Sequence, residues 1–208
     1  MKVETIRTLT GPNVHSHRPA IVARLDLEDL TERESIEFEG FNERLLARGG
    51  IVRRGLGYDW SDVGVLTNIG PDHIGQDGIE TVEDIVHIKS LVAERVREGG
   101  TLVLNADDEH LARLTERRRV RAPEKKIVYF SLDSSNPLVV AHLETGGTAY
   151  YQKDGWIVEA TGNVAHLFIR VNDIPVTMNG SAEFQVANLM AAAEAASGAR
   201  RARPSHDS

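Results

Sequence analysis

The stretch Val63-Gly64-Val65-Leu66-Thr67-Asn68-Ile69 decides how the rest of the chain is read. A short apolar run bounded by polar and turn residues is the pattern of a strand covered on both faces. Working outward, Thr81 stands three residues before Asp84, a pairing that caps a helix start, and Ile85, Ile88, Val92 and Val96 then recur near the helical period. Gly99-Gly100 predicts where that helix stops. Residues 101–104 predict a second buried strand, residues 107–118 a second helix and residues 127–131 a third strand. Strand, helix, strand, helix, strand in that order predicts an α/β fold with a mostly parallel sheet and right-handed crossovers.

After Ser131 the pattern changes to a meander. Residues 149–152 and 156–160 flank the turn Lys153-Asp154-Gly155, and residues 164–171 alternate as a third antiparallel strand. Residues 184–196 are alanine-rich and predict a helix. The end of the chain, with Arg200, Arg201 and Arg203 before Pro204, reads as a frayed tail from residue 199. On the other side of the deciding stretch, residues 2–9 and 20–27 predict two extended runs separated by the turn Gly11-Pro12-Asn13. An acidic connector over 26–40 and a short helix over 41–47 follow, and there is no internal repeat.

A chain of 208 residues with 41% hydrophobic content can bury one core, with room for a small appendage. Its net charge of -7 repels polynucleotides and anionic membrane, so neither is expected as a partner. The absence of cysteine excludes disulfides and thiolate metal sites. No apolar run matches a signal peptide or the roughly 18 residues of a membrane span, so the expected location is cytoplasmic.

In open α/β sheets, ligands sit at the carboxyl ends of the strands. Two predicted strands end there in polar clusters, Thr67-Asn68-Ile69-Gly70-Pro71-Asp72-His73 and Asn105-Ala106-Asp107-Asp108. A ring nitrogen of His73 suits a divalent metal, and the Asp107 carboxylate suits water, ribose or a base. The competing reading makes the Asp and Asn residues turn formers or helix caps. Lys89 lies one turn past Ile85, beside the sheet-facing stripe, where a lysine either snorkels to solvent or is held for a purpose. Arg117, Arg118, Arg119, Arg121, Lys125 and Lys126 suit a solvated helix end, and Trp60, Trp156 and the tyrosines are assigned to packing.

Four long segments, in order, resemble the cyanophycin synthetases of the Mur ligase family. They run over residues 48–69, 71–79, 87–94 and 104–108, including Arg48-Gly49-Gly50-Ile51, Pro71-Asp72-His73-Ile74-Gly75 and Leu104-Asn105-Ala106-Asp107-Asp108, and Val171-Asn172-Asp173-Ile174-Pro175 continues the likeness. Residues 1–43, with Leu9-Thr10-Gly11-Pro12-Asn13, resemble the extreme N-terminus of the same family. The resemblance implies a remnant of the N-terminal domain over 1–47, a partial Mur-like central domain over 48–198 and a tail over 199–208. Members of the family are ATP-dependent amide ligases that add aspartate and arginine through acyl phosphates, so ATP and Mg2+ are the implied cofactors. By resemblance His73 would be a magnesium ligand and Lys89 the lysine that Mur ligases carbamylate to hold a second magnesium. Asn188, with Asn105 and Asp107, would face the nucleotide, and Gln185 stands where a second asparagine is expected.

The sequence departs from that pattern where phosphates bind. A phosphate loop needs crowded glycine amides followed by a lysine and a hydroxyl. No Gly-Lys pair occurs, the one Lys-Ser step is Lys89-Ser90, and the family's acidic magnesium ligand falls at Leu45. The expectation is therefore a truncated ligase relative, inactive alone, with an unpaired sheet edge prone to self-association or to joining a complete synthetase. The alternative expectation is a non-catalytic module that modulates such a synthetase.

Overall fold

The computed structural model describes residues 56, 59–71, 74–75, 79–121, 124–178 and 180–201. The two extended runs, the connector and the helix expected before residue 48 lie outside them. One mixed sheet organises the described residues, with strands β1 (Ser61–Leu66), β2 (Val96–Asn105), β3 (Lys126–Ser131), β4 (Thr148–Lys153), β5 (Trp156–Thr161) and β6 (Val164–Arg170) side by side in chain order. The first four are parallel and the last two pairings are antiparallel.

Alternation across the pleat divides the core in two. Leu66, Leu102, Leu104, Tyr129 and Ala149 face helix α1 (Val82–Glu94), the short helices after β2 and helix α4 (Pro137–Glu144). Val103, Val128, Phe130 and Tyr150 face the last helix, α5 (Glu183–Arg201), through Val186, Leu189 and Met190. Both faces of the parallel strands are thus covered, which is why these strands read as continuous apolar runs.

Helix α1 starts as the sequence predicts: the Thr81 hydroxyl accepts from the Asp84 amide and the Asp84 carboxylate accepts from the Thr81 amide at 2.9 Å. Three hydrogen bonds to the Asp84 carboxylate, led by that of the Thr81 side chain, hold its pKa below the usual value. The helix ends earlier than expected, at Glu94, and Gly99-Gly100 belong to β2. There the register slips: Ser61 pairs with Val96 but Val63 pairs with Thr101. The positive φ of Gly99 (71°) absorbs the irregularity, and a Cβ at Gly100 would lie 2.8 Å from the Asp62 carbonyl. Gly64 leaves room for the Val96 side chain of β2, since a Cβ there would meet its Cγ2 at 2.5 Å.

The single helix expected over 107–118 is instead three pieces: α2 (Glu109–Ala112), a 3-10 turn (Leu114–Glu116) and α3 (Arg118–Arg121). Leu111 of α2 and Leu114 of the 3-10 turn are both fully buried. Arg117, in extended conformation, then separates the turn from Val120, which is also buried. The meander expected after β3 also needs correction at its start. Asn136 caps α4 through the amides of Leu138 and Val139, Pro137 occupies the first turn, and the helix carries the chain back so that β4 runs parallel to β3. The hairpin at Lys153-Asp154-Gly155 and the antiparallel β5 and β6 match the reading, with Asp154 and Gly155 both at positive φ. Helix α5 continues through Arg201, past the expected tail boundary, and the residues after it lie outside those described.

Candidate functional site at the strand ends

The carboxyl ends of β1, β2 and β3 lie together because these strands are parallel neighbours. Three side chains converge on the backbone that leaves β1. The amide of Asn105 donates to the Thr67 carbonyl at 2.9 Å, the ammonium of Lys89 donates to the Asn68 carbonyl at 2.7 Å, and Asp108 accepts from the Ile69 amide at 2.5 Å. Consecutive residues of the exit segment are therefore held from β2, α1 and the start of α2. This positions the segment that leads toward His73, which itself lies outside the described residues.

Asp107 joins β2 to β3. One carboxylate oxygen accepts from the Ser131 hydroxyl at 2.5 Å and from Asn136 Nδ2 at 3.0 Å, and the other accepts from the Leu132 amide at 2.7 Å. Asn136 also donates to the Ala106 carbonyl while its own oxygen caps α4. Asp108 caps α2 with its second oxygen, which accepts from the amides of His110 and Leu111. Asp107 and Asp108 thus act as the caps and turn formers that the alternative reading of the cluster described, and Asn136 adds a further cap.

The structure brings together Lys89, Asn105 and Asp107 at one end of the sheet. Asn188 is exposed on α5, and no hydrogen bond described links it to the other three. Sequence reading placed Asn68 and Asp108 in the two polar clusters and passed over Ser131 and Asn136. Asn136-Pro137 carries a legible helix-start signal, whereas the Ser131–Asp107 contact depends on strand register alone. Among the described residues no group of three or more His, Asp or Glu side chains suits a metal ion. A hollow of about 400 Å3 lies elsewhere, on the antiparallel flank between Tyr151, Trp156, Val158 and Leu167, and none of the candidate residues lines it.

The described donor set does not fit a magnesium triphosphate. Lys89-Ser90 sits inside α1, where Ser90 is fully buried and its hydroxyl donates to the His87 carbonyl at 2.7 Å. The Lys89 ammonium is turned to the Asn68 carbonyl, and both Asp107 oxygens accept from the protein.

Two further basic residues serve the fold. Arg117 pairs with Glu83 of α1, and Lys125 donates to the carbonyls of Ala93 and Val120 at the ends of α1 and α3. Burial lowers the Lys125 pKa against an opposing contribution from Glu94. Trp60, expected to be packed, is about half exposed with the Arg95 guanidinium over its ring.

A family model described as the Mur ligase middle domain matches residues 57–196. The cyanophycin synthetase of Nostoc sp. (strain PCC 7120) is 40% identical over 150 residues, and that of Synechocystis sp. (strain PCC 6803) is 39% identical over the same length. These matches cover 72% of this chain but only 16% and 17% of the relatives, so the chain spans a small part of their length. MurF from Acinetobacter baumannii, a solved structure, aligns at 14% identity over 76% of this chain and 32% of its own, with a TM-score of 0.36. No helix of the described residues is long and apolar enough to cross a membrane.

Proposed function

From the premise that the chain belongs to the Mur ligase family through its middle domain, we propose that it is a cyanophycin-synthetase-like ligase fragment that does not turn over ATP by itself. One observation carries this reading. The only Lys-Ser step in the sequence is locked inside α1, with its serine buried and its lysine drawn to the exit of β1. A phosphate loop works by turning successive backbone amides, a lysine and a hydroxyl toward one anion. A helix interior has already committed its amides to the preceding turn, and Ser90 has committed its hydroxyl. Phosphoryl transfer is catalysed almost wholly by positioning and charge neutralisation, so a site without these groups loses the main source of rate.

The strand-end cluster supports a scaffold role for the residues present. Lys89, Asn105 and Asp108 hold the exit segment of β1, and Asp107 holds the ends of β2 and β3. Within this reading ATP and Mg2+ belong to the complete relatives. His73 and Lys89 remain the residues through which any residual magnesium affinity would act, and Asn188 the one through which any residual nucleotide contact would act. The location expected on this reading is cytoplasmic.

Isothermal titration of the chain with ATP in the presence of magnesium tests the proposal. The expected result is no saturable heat. Micromolar affinity, or release of ADP that depends on added arginine or aspartate, overturns it. A second reading makes the chain a binding module that joins a complete synthetase, and the preserved two-faced sheet favours it. Co-purification with such a synthetase, with altered ATP hydrolysis in the mixture, is its expected outcome, and a lone monomer in that mixture counts against it.

A further inference from the structure

The hollow of about 400 Å3 on the antiparallel flank is assembled by register across β4, β5 and β6. Tyr151, Val158 and Leu167 pair into one row, and Lys153, Trp156 and Arg170 form the next row toward the hairpin. On the other side the row is Ala149, Ala160 and Ala165, whose small side chains stand lower than the tyrosine and leucine beside them. Strict alternation would send Leu167 and Arg170, three residues apart, to opposite faces. A register shift between Ile157 and Val158 gives β6 one extra residue there, Phe168, and brings both onto the face that carries Trp156 and Val158. The Arg170 guanidinium then lies over the Trp156 ring at 4.9 Å from its centroid, beside the hollow that Trp156, Lys153 and Asp154 help to line.

We propose that this hollow binds a small, flat, apolar molecule that carries one negative charge, of the class of aromatic carboxylates. Its volume lies at the small end of ligand pockets and suits one or two fused rings. Tyr151, Val158 and Leu167 offer the ring body an apolar strip, and Leu167, 64% exposed, gains most from being covered. The indole of Trp156 adds an aromatic wall that favours a ring over an aliphatic chain. The Lys153 ammonium and the Arg170 guanidinium flank Trp156 and suit a carboxylate. Asp154 opposes a second negative charge at close range, and the net charge of -7 opposes it at longer range. A singly charged aromatic acid therefore fits better than a phosphate or a polyacid. The strand-end cluster lies elsewhere, so this inference is independent of the proposed function.

Amide NMR of the isotopically labelled full chain, titrated with naphthoate, tests the proposal. The expected result is a saturable set of shifts centred on residues 151–158 and 165–170, with half-saturation on the order of 1 mM or below. Naphthamide, which keeps the shape and lacks the charge, should bind about 5-fold more weakly. Lys153 and Arg170 are both exposed, so Lys153→Gln and Arg170→Gln leave the core untouched, and each should weaken naphthoate binding by a similar factor while leaving naphthamide binding unchanged. Naphthalene dicarboxylate should bind no better than naphthoate. Absence of saturation up to the solubility of naphthoate overturns the proposal, as do shifts spread over the whole chain. Equal affinity for the acid and the amide, or unchanged naphthoate affinity in both variants, removes the anion from the site and overturns it as well. Tighter binding of the dicarboxylate overturns the single charge.

Discussion

The parallel half of the sheet and its antiparallel flank are built from similar apolar residues but use them differently. In β2, Leu102, Val103 and Leu104 are completely buried, whereas in β6 Val164 is 53% and Leu167 64% exposed. The difference follows from connectivity. Parallel neighbours need long crossovers, and here α1, the short helices and α4 cover one face while α5 returns across the other. The turn between β5 and β6 brings no such cover, so Phe168 is exposed while lying edge-on to Tyr150 with ring centroids 6.1 Å apart. Rigid, doubly covered strands hold the strand-end cluster in place, and the flank is free to vary.

Substitutions can break or sharpen this contrast. The largest effect is expected for Phe130→Ala, which empties a fully buried site facing α5 and should cost about 3–5 kcal/mol in urea unfolding. A loss below about 1 kcal/mol would show that the parallel half is not the tightly packed one. Next comes Asp107→Ala, which leaves the Leu132 amide without that acceptor and removes one bond each from Ser131 and Asn136 at the ends of β2 and β3. It should cost about 2 kcal/mol, with Asp107→Asn recovering part of that. An unchanged unfolding midpoint would mean that the cluster does not brace the sheet.

A smaller effect depends on pH. His142 of α4 lies edge-on to Tyr129 with ring centroids 5.0 Å apart, and its Nε2 is 3.1 Å from the Ile127 carbonyl. Burial lowers its pKa below 6.5, more than hydrogen bonding to the backbone of Ile127 and Thr148 raises it. A base whose folded pKa lies below its unfolded value contributes stability that is complete above the unfolded value and is lost as pH falls toward the folded one. The melting temperature should therefore decline as pH drops below about 6.5, before the carboxylates titrate, and His142→Gln should flatten that slope. An identical slope in the variant would remove His142 from the account. The smallest effect is expected on the flank: Leu167→Ala should shift stability by less than about 0.5 kcal/mol. A loss approaching that of Phe130→Ala would erase the contrast between the two regions.

Much of the parallel half was legible residue by residue. The apolar run at 63–66, the Thr81–Asp84 capping box and the buried strands at 101–104 and 127–131 announce themselves through local pattern. What misled was also local. Gly99-Gly100 carries the signature of a helix stop, yet those glycines serve a register slip that exists only because β1 lies alongside. The β-branched pair Val139-Val140 masked α4, although Asn136-Pro137 marked its start. Within the site, candidate residues at strand ends could be named because that is where polar residues interrupt apolar runs. Their partners could not, since Asp107 meets Ser131 only through the pairing of β2 with β3.

The sequence by itself determined which segments must be buried, where α1 begins, and that the chain carries no phosphate-loop pattern of glycines followed by lysine. Those are properties of neighbouring residues, and neighbours along the chain report them. Only the tertiary structure decided that β4 turns parallel to β3, that β1 stands beside β2 alone among the described strands, and that Lys89 spends its ammonium on the Asn68 carbonyl. Each of these joins groups far apart in the chain, and such contacts depend on how helices and strands pack against one another.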